Sequence, residues 1–203
     1  MSDTDSTGTA IPSLPFSSPP PTGVAVHELT ISNILIAHRD DGKIVLQIVD
    51  GAGGTVITPD GSTLIVGETA AARYTAFTIA DDGSLTDQRV WAQVEPAPEI
   101  SSLEATLAAL RFGPDGCTLD AEGMIWAADE VNGRLARVAE GGEVVDEIPS
   151  PEGLNFFACA LGGEDGKTML ICAAPDFLEA NRVNARDAVL LTTRVDVPHA
   201  GLP

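Results

Sequence analysis

Positive charge is what this chain has least of. Lys and Arg number 11 against 30 Asp and Glu, for a formal net charge of -19. A field of that sign repels phosphate backbones and anionic lipid headgroups, which argues against nucleic acid and membrane partners. The acidity reads as a solvated, soluble surface. Long apolar runs are missing as well, and none approaches the roughly 20 residues of a membrane-spanning helix. The start, Met1-Ser2-Asp3-Thr4-Asp5, is acidic and no apolar stretch follows it, so no secretory signal is expected. Cysteine is sparse: Cys117, Cys159 and Cys172 are odd in number and widely spaced, and form neither a zinc pattern nor a disulfide framework. Each lies in an apolar run, where a buried reduced thiol is expected. A cytoplasmic location follows from these readings. Aromatics make up only 4% of the chain, so a core must be built from Val, Ile, Leu and Ala; 203 residues suffice for one domain with such a core.

What is present is a β grammar with an unstructured preface. Residues 1–22 are rich in Ser, Thr, Pro and Gly, and Ser17-Ser18-Pro19-Pro20-Pro21 has no place in a sheet interior. Residues 1–32 therefore read as a disordered tail and lead-in, and 33–203 as the folded region. From Asn33 onward, short Val/Ile/Leu runs alternate with acidic-Gly pairs: Asp41-Gly42, Asp60-Gly61, Asp82-Gly83, Glu122-Gly123 and Asp165-Gly166. Glycine takes positive φ without steric cost, so such pairs between apolar runs signal hairpins. Thirteen strands are expected, from Ile34–Ala37 to Val189–Val195. One helix is expected within the segment Pro96–Arg111, where Ser101-x-x-Glu104 forms a capping box and Leu103, Leu107 and Leu110 share a face.

Two stretches repeat. Gly53-Gly54-Thr55-Val56-Ile57-Thr58-Pro59-Asp60-Gly61 aligns with Asp115-Gly116-Cys117-Thr118-Leu119-Asp120-Ala121-Glu122-Gly123 on the closing glycines, placing Gly54 on Gly116 and Gly53 on Asp115. Gly123 to Gly166 is 43 residues, and Gly61 to Gly123 is 62 including the helical insertion. A four-strand repeat with a period in the forties is a propeller blade. The alternative all-β architecture, an immunoglobulin-like sandwich, would not show this self-similarity. Aligning Asp165-Gly166 with Asp60-Gly61 places Ala158 at the position of Gly53 and Asp115. Of the three, Asp115 alone carries an acid.

Three blocks in order resemble the SMP-30/gluconolactonase family, which includes luciferin-regenerating-like proteins. They are Val56-Ile57-Thr58-Pro59-Asp60-Gly61 through Glu68-Thr69, Pro114-Asp115-Gly116 through Asp129, and Phe157 through Gly163 followed by Ala174-Pro175-Asp176-Phe177. The resemblance implies a six-bladed β-propeller holding one divalent cation (Ca²⁺, Zn²⁺ or Mn²⁺) at the mouth of its channel. It also implies hydrolysis of sugar lactones, the metal polarising the carbonyl and a carboxylate activating water. It covers roughly three four-stranded blades plus the outer strands of another, so the fold class is an all-β partial propeller; the family's N-terminal blades find no counterpart. Asp115 matches the family's metal-binding, water-activating Asp in Pro-Asp-Gly, and is the candidate catalytic and metal residue. The family's Pro-Asn-Gly asparagine falls on Gly53, which has no side chain, and its N-terminal Glu and earlier Asn lie in the missing blades.

Other candidates read as structural. Asp60 follows its inner strand, at a hairpin, whereas Asp115 precedes its strand, at the rim. Glu152, in Pro151-Glu152-Gly153, is a loop acid. Glu68 and Arg73 are placed to pair across a hairpin, and Asp129 either to reach the channel or, the preferred reading, to cap a turn. His27, His38 and His199 share no ligand spacing, and Trp91 and Trp126 lie in strand runs as core. Two functions stay open: a metal-dependent lactonase using Asp115, or a truncated or degenerate propeller without activity, serving as a binding or assembly module or a partial gene product. Open sheet edges invite pairing with another copy of the chain.

Overall fold

The computed structural model describes residues 33–40, 43–50, 52–99 and 103–201. All thirteen expected strands are present, most of them longer than their apolar runs. The tail and lead-in at 1–32 lie outside the described residues. Strands β1 (Asn33–Asp40) and β2 (Lys43–Asp50) form an antiparallel pair. Three antiparallel meanders follow, and each is a blade. The first is β3 (Ala52–Ile57), β4 (Thr63–Glu68), β5 (Arg73–Ile79) and β6 (Leu85–Gln93). The second is β7 (Pro114–Leu119), β8 (Ile125–Asp129), β9 (Arg134–Val138) and β10 (Val144–Pro149). The third has three strands, β11 (Asn155–Gly162), β12 (Thr168–Ala174) and β13 (Val189–Arg194). The inner strands lie side by side, β3 against β7 and β7 against β11. The protein is a partial β-propeller.

Between the first two blades runs helix α1 (Leu103–Ala109). Its expected capping serine, Ser101, lies outside the described residues. Leu110 and Phe112, just after it, are buried in the core between the two blades, so the insertion contributes to blade stacking. A one-turn helix, α2 (Glu179–Arg182), joins β12 to β13 and was not expected. Among the described residues, no helix is long and apolar enough to cross a membrane.

The repeat is a backbone repeat. Gly61, Gly123 and Gly166 have φ of 72°, 75° and 73°, and each N–H donates to the carbonyl three residues earlier. Every inner strand also carries a β-bulge. Pairing skips from Ala52↔Glu68 to Thr55↔Val66, from Pro114↔Asp129 to Cys117↔Ala127, and from Phe156↔Ala173 to Ala158↔Cys172. Bulges bend a strand and re-aim its side chains, and they cluster at rims and active sites. This register corrects one equivalence. The β11–β12 ladder runs one pair further, to Gly162↔Thr168, before its turn, so aligning on glycines slips the inner strand by one. The residue in the position of Gly53 and Asp115 is Phe157, not Ala158. Ala158 is the counterpart of Gly54 and Gly116.

Blades stack through alternating faces. Val56, Ile65, Tyr74 and Ala76 of the first blade meet Leu119, Ile125, Ala127 and Ala136 of the second in one buried cluster. Trp126, Ala128 and Leu135 on the opposite face of the second blade meet Cys159, Leu161, Met169 and Ile171 of the third. Trp91 and Trp126 are thus core residues, as expected; Tyr74 packs edge-on against Trp91 with ring centroids 6.0 Å apart.

Candidate functional site

Asp115 sits on the bulge at the start of β7, half-buried between the inner strands. Burial pushes its carboxyl above the usual carboxylate range, and the N–H of Gly116 partly offsets this. Among the described residues no side-chain donor bonds to it. Glu130, immediately after β8, shares the rim. Its carboxyl is raised by burial and then by the negative charges of Asp115 and Asp129. The register makes Glu130 the counterpart of Thr69 in the first blade, whose hydroxyl donates to the Pro114 carbonyl at 2.7 Å. The second blade therefore gains an acid at two rim positions. Sequence reading found Asp115 and missed Glu130, although extending the repeat past Glu68 and Asp129 would have paired Thr69 with Glu130.

The neighbouring acids have structural duties. Asp129 is fully buried and accepts from the Gly113 N–H at 3.2 Å, Asn132 Nδ2 at 2.7 Å and Arg134 Nε at 3.0 Å. It pins the segment leading into β7, a larger version of the turn-capping role expected. Glu68 pairs with Arg73 across the β4–β5 hairpin at 2.5 Å, as anticipated. Asp60 accepts from the Thr58 hydroxyl and from Ser62 N–H and Oγ, which lower its pKa; it is a turn residue. Glu152 lies exposed in a turn. The backbone of His199 bridges to Asp120, and His27 and the side chain of His38 lie outside the described residues.

Asp120 is an acid whose role sequence reading missed. It is fully buried at the β7–β8 hairpin, accepting from Glu122 N–H at 2.9 Å, Met124 N–H at 3.1 Å and Arg137 Nε at 2.7 Å. With Thr58, Arg89, Trp91 and Glu140 it lines a cleft of about 370 Å³. That cleft lies at the hairpin end of the inner strands, opposite the Asp115 rim, and its one buried acid is already satisfied. The thiols also differ from expectation. Cys159 is buried, and burial pushes the Cys117 thiol up to about 12, but Cys172 is exposed. Its side of β12 is the face that no further blade covers among the described residues.

A divalent cation of the hard type takes about six to eight oxygen ligands, several from protein. Among the described residues no three His, Cys, Asp or Glu side chains come together to hold one. Gly53, where a ligand from the first blade would stand, is closed to any side chain: a Cβ there would lie 2.2 Å from the Pro114 carbonyl oxygen and 3.0 Å from Asp115 Cα. The described residues do not fit a cation site. What the rim offers chemically is a half-buried, unpaired carboxylate of raised basicity beside a second one, the properties of a general base.

The SMP-30/Gluconolactonase/LRE-like region matches residues 27–175. The 6-deoxy-6-sulfogluconolactonase of Pseudomonas putida is 33% identical over 92 residues, 44% of this chain and 31% of that protein. Luciferin-regenerating enzyme superposes with a TM-score of 0.59 at 18% identity, covering 78% of this chain and 50% of that one. Regucalcin of Agrobacterium tumefaciens, a calcium-binding protein, gives 0.57 at 21% identity, covering 83% and 56%. These structural likenesses are of fold. The chain spans about half the length of those structures, and less of the lactonase.

Proposed function

Because this chain belongs to the SMP-30/gluconolactonase/LRE-like family, we propose that it carries the base-bearing part of a lactonase-type site, with a sugar lactone as substrate and Asp115 as general base. The observation that carries this reading is the bulge of β7, which holds an unpaired, half-buried carboxylate of raised pKa at the rim. In the proposed reaction the carboxylate takes a proton from water as the water oxygen bonds to the lactone carbonyl carbon. The ring C–O bond then breaks, the proton passes to the departing alkoxide, and an open hydroxy acid leaves. The similarity to a sulfogluconolactonase supports the substrate class. No step is assigned to a metal.

A positioned base contributes roughly 10²–10⁴-fold to rate. Hydrolysis of glucono-δ-lactone, followed by pH-stat and corrected for spontaneous opening, should exceed background for the native chain and fall at least 100-fold for Asp115→Asn. Native turnover no faster than background would overturn the reading.

A second reading is favoured by the closure of Gly53. A propeller that has lost its first-blade ligand position persists as a binding or assembly module. A folded protein that neither turns over lactones nor responds to Asp115 substitution supports that reading.

A further inference from the structure

Asp115 stands outside its own ladder. Pro114 pairs with Asp129 and Cys117 with Ala127, so the bulge leaves Asp115 and Gly116 without ladder partners on β8. Such a residue takes its direction from whatever else holds its peptide. The Pro114 carbonyl and the Asp115 N–H belong to one planar peptide unit. A contact that fixes this carbonyl therefore fixes the plane from which Asp115 departs.

That contact comes from the neighbouring blade. The Thr69 hydroxyl donates to the Pro114 carbonyl at 2.7 Å, across 45 residues of sequence. Thr69 is itself firmly seated. It opens a single 3₁₀ turn, Thr69–Ala71, and its carbonyl accepts from the Ala72 N–H at 3.2 Å. The Ala72 carbonyl accepts from the Val94 N–H at 3.2 Å and the Ala71 carbonyl from Gln93 Nε2 at 3.0 Å, which ties the turn to the end of β6. Ala72 is fully buried with φ of 52°, the left-handed region that is costly for a residue with a Cβ. Strain of this kind persists only where the surroundings over-determine it, and it gathers at functional sites. From the second blade's own side, Asp129 accepts from the Gly113 N–H at 3.2 Å. The segment leading into Asp115 is thus held from both blades.

The hydroxyl stands where the next blade carries the acid. One blade further on, Glu130 takes the place of Thr69 and Phe157 that of Asp115. A carboxylate has no hydrogen to donate, and Phe157 has no polar group to aim.

We propose that Thr69 is a positioning residue for Asp115: its hydroxyl, reaching from the first blade to the Pro114 carbonyl, sets the direction in which the second blade presents its carboxylate. The consequence for rate rests on the lactonase reading, whereas the consequence for geometry does not.

The test compares Thr69→Val, which keeps the shape of the side chain and removes the donor, with Thr69→Ser, which keeps the donor. Backbone order parameters of Asp115 and Gly116, from amide relaxation by NMR, need no turnover. They should be about 0.85 in the native chain and in Thr69→Ser, and fall below about 0.6 in Thr69→Val while β8 stays rigid. In the glucono-δ-lactone assay Thr69→Val should lower kcat by about 10–100-fold with little change in KM, since a small misplacement of a reacting group costs rate. Thr69→Ser should recover most of that loss. Circular dichroism confirms folding, and Thr69→Ala serves if the valine variant fails to fold. Unchanged order parameters in Thr69→Val would overturn the proposal, whether or not the native chain is active. So would a native kcat in Thr69→Val, a change in KM alone, or no recovery in Thr69→Ser. A native chain without turnover in which Thr69→Val alone loosens Asp115 overturns the lactonase reading and supports the positioning role.

Discussion

Gly53 and Asp115 hold the same bulge position in consecutive blades, and the backbone beside Asp115 fills the space a side chain on Gly53 would need. A Cβ on Gly53 would meet the Pro114 carbonyl oxygen at 2.2 Å. The feature that makes Asp115 a strong candidate, its seat between tightly packed inner strands, also denies it a ligand partner from the first blade. Gly53→Ala should destabilise the fold by about 1–3 kcal/mol through overpacking. Urea denaturation should show a lower midpoint with little change in slope. An unchanged midpoint would mean that β3 and β7 are further apart than described.

Asp115 should weaken the fold that holds it. Its folded pKa is raised above the ordinary value of 3.8, so the native state keeps its proton to higher pH than the unfolded chain does. Between those two values stability falls as pH rises, and above the folded value the loss is complete. Asp115→Asn should therefore stabilise the protein at pH 7 and do nothing below the unfolded pKa. Solvent reaches the half-buried group, so the gain is modest, about 0.5–1 kcal/mol or roughly 1–4 °C in Tm. Thermal melts at pH 7 and pH 3.5 on native and variant protein check both the sign and its disappearance.

Asp60 and Asp120 both sit at inner hairpins and should respond very differently. Asp60 is exposed and bonds within its own turn. Asp120 is fully buried, and its removal leaves Arg137, whose side chain is only 12% exposed, with the exposed Glu122 as its remaining acidic partner. Asp120→Ala should cost about 2–3 kcal/mol, since the buried bond to Arg137 is broken and the Glu122 and Met124 N–H groups lose their acceptor. Asp60→Ala should cost far less, because Asp60 is exposed and its hydrogen bonds stay within its own turn. Comparable losses for the two would contradict the burial assigned to Asp120.

Much of the architecture was legible because glycine punctuation and apolar runs are local signals. Gly61, Gly123 and Gly166 all adopt the positive φ their sequence context implied, and Asp115 was found by asking where the repeat gains an acid. Register was less legible. An extra ladder pair at Gly162↔Thr168 moved the third equivalent from Ala158 to Phe157, and no composition signal marks how far a ladder runs before it turns. Burial of polar groups was least legible. Asp120 resembles any turn acid until Arg137, 17 residues later, is brought alongside by β9. Cys172 sits in an apolar run like the other cysteines, and only the absence of a covering blade among the described residues leaves it exposed.

The poor fit to a cation is itself measurable. With two rim carboxylates and Gly53 closed, the chain should bind Ca²⁺ or Mn²⁺ no more tightly than the weak end of protein sites, about 10⁻⁴–10⁻³ M. Isothermal titration of chelator-treated protein checks this. A dissociation constant in the micromolar range, lost on Asp115→Asn, would show that further ligands complete the site.

The most direct test of the account is the lactone assay on native protein, Asp115→Asn and Asp60→Asn together. It predicts hydrolysis of glucono-δ-lactone above background, reduced at least 100-fold by the Asp115 substitution and unchanged by the Asp60 substitution. Equal turnover in all three, or none above background in folded native protein, would contradict it.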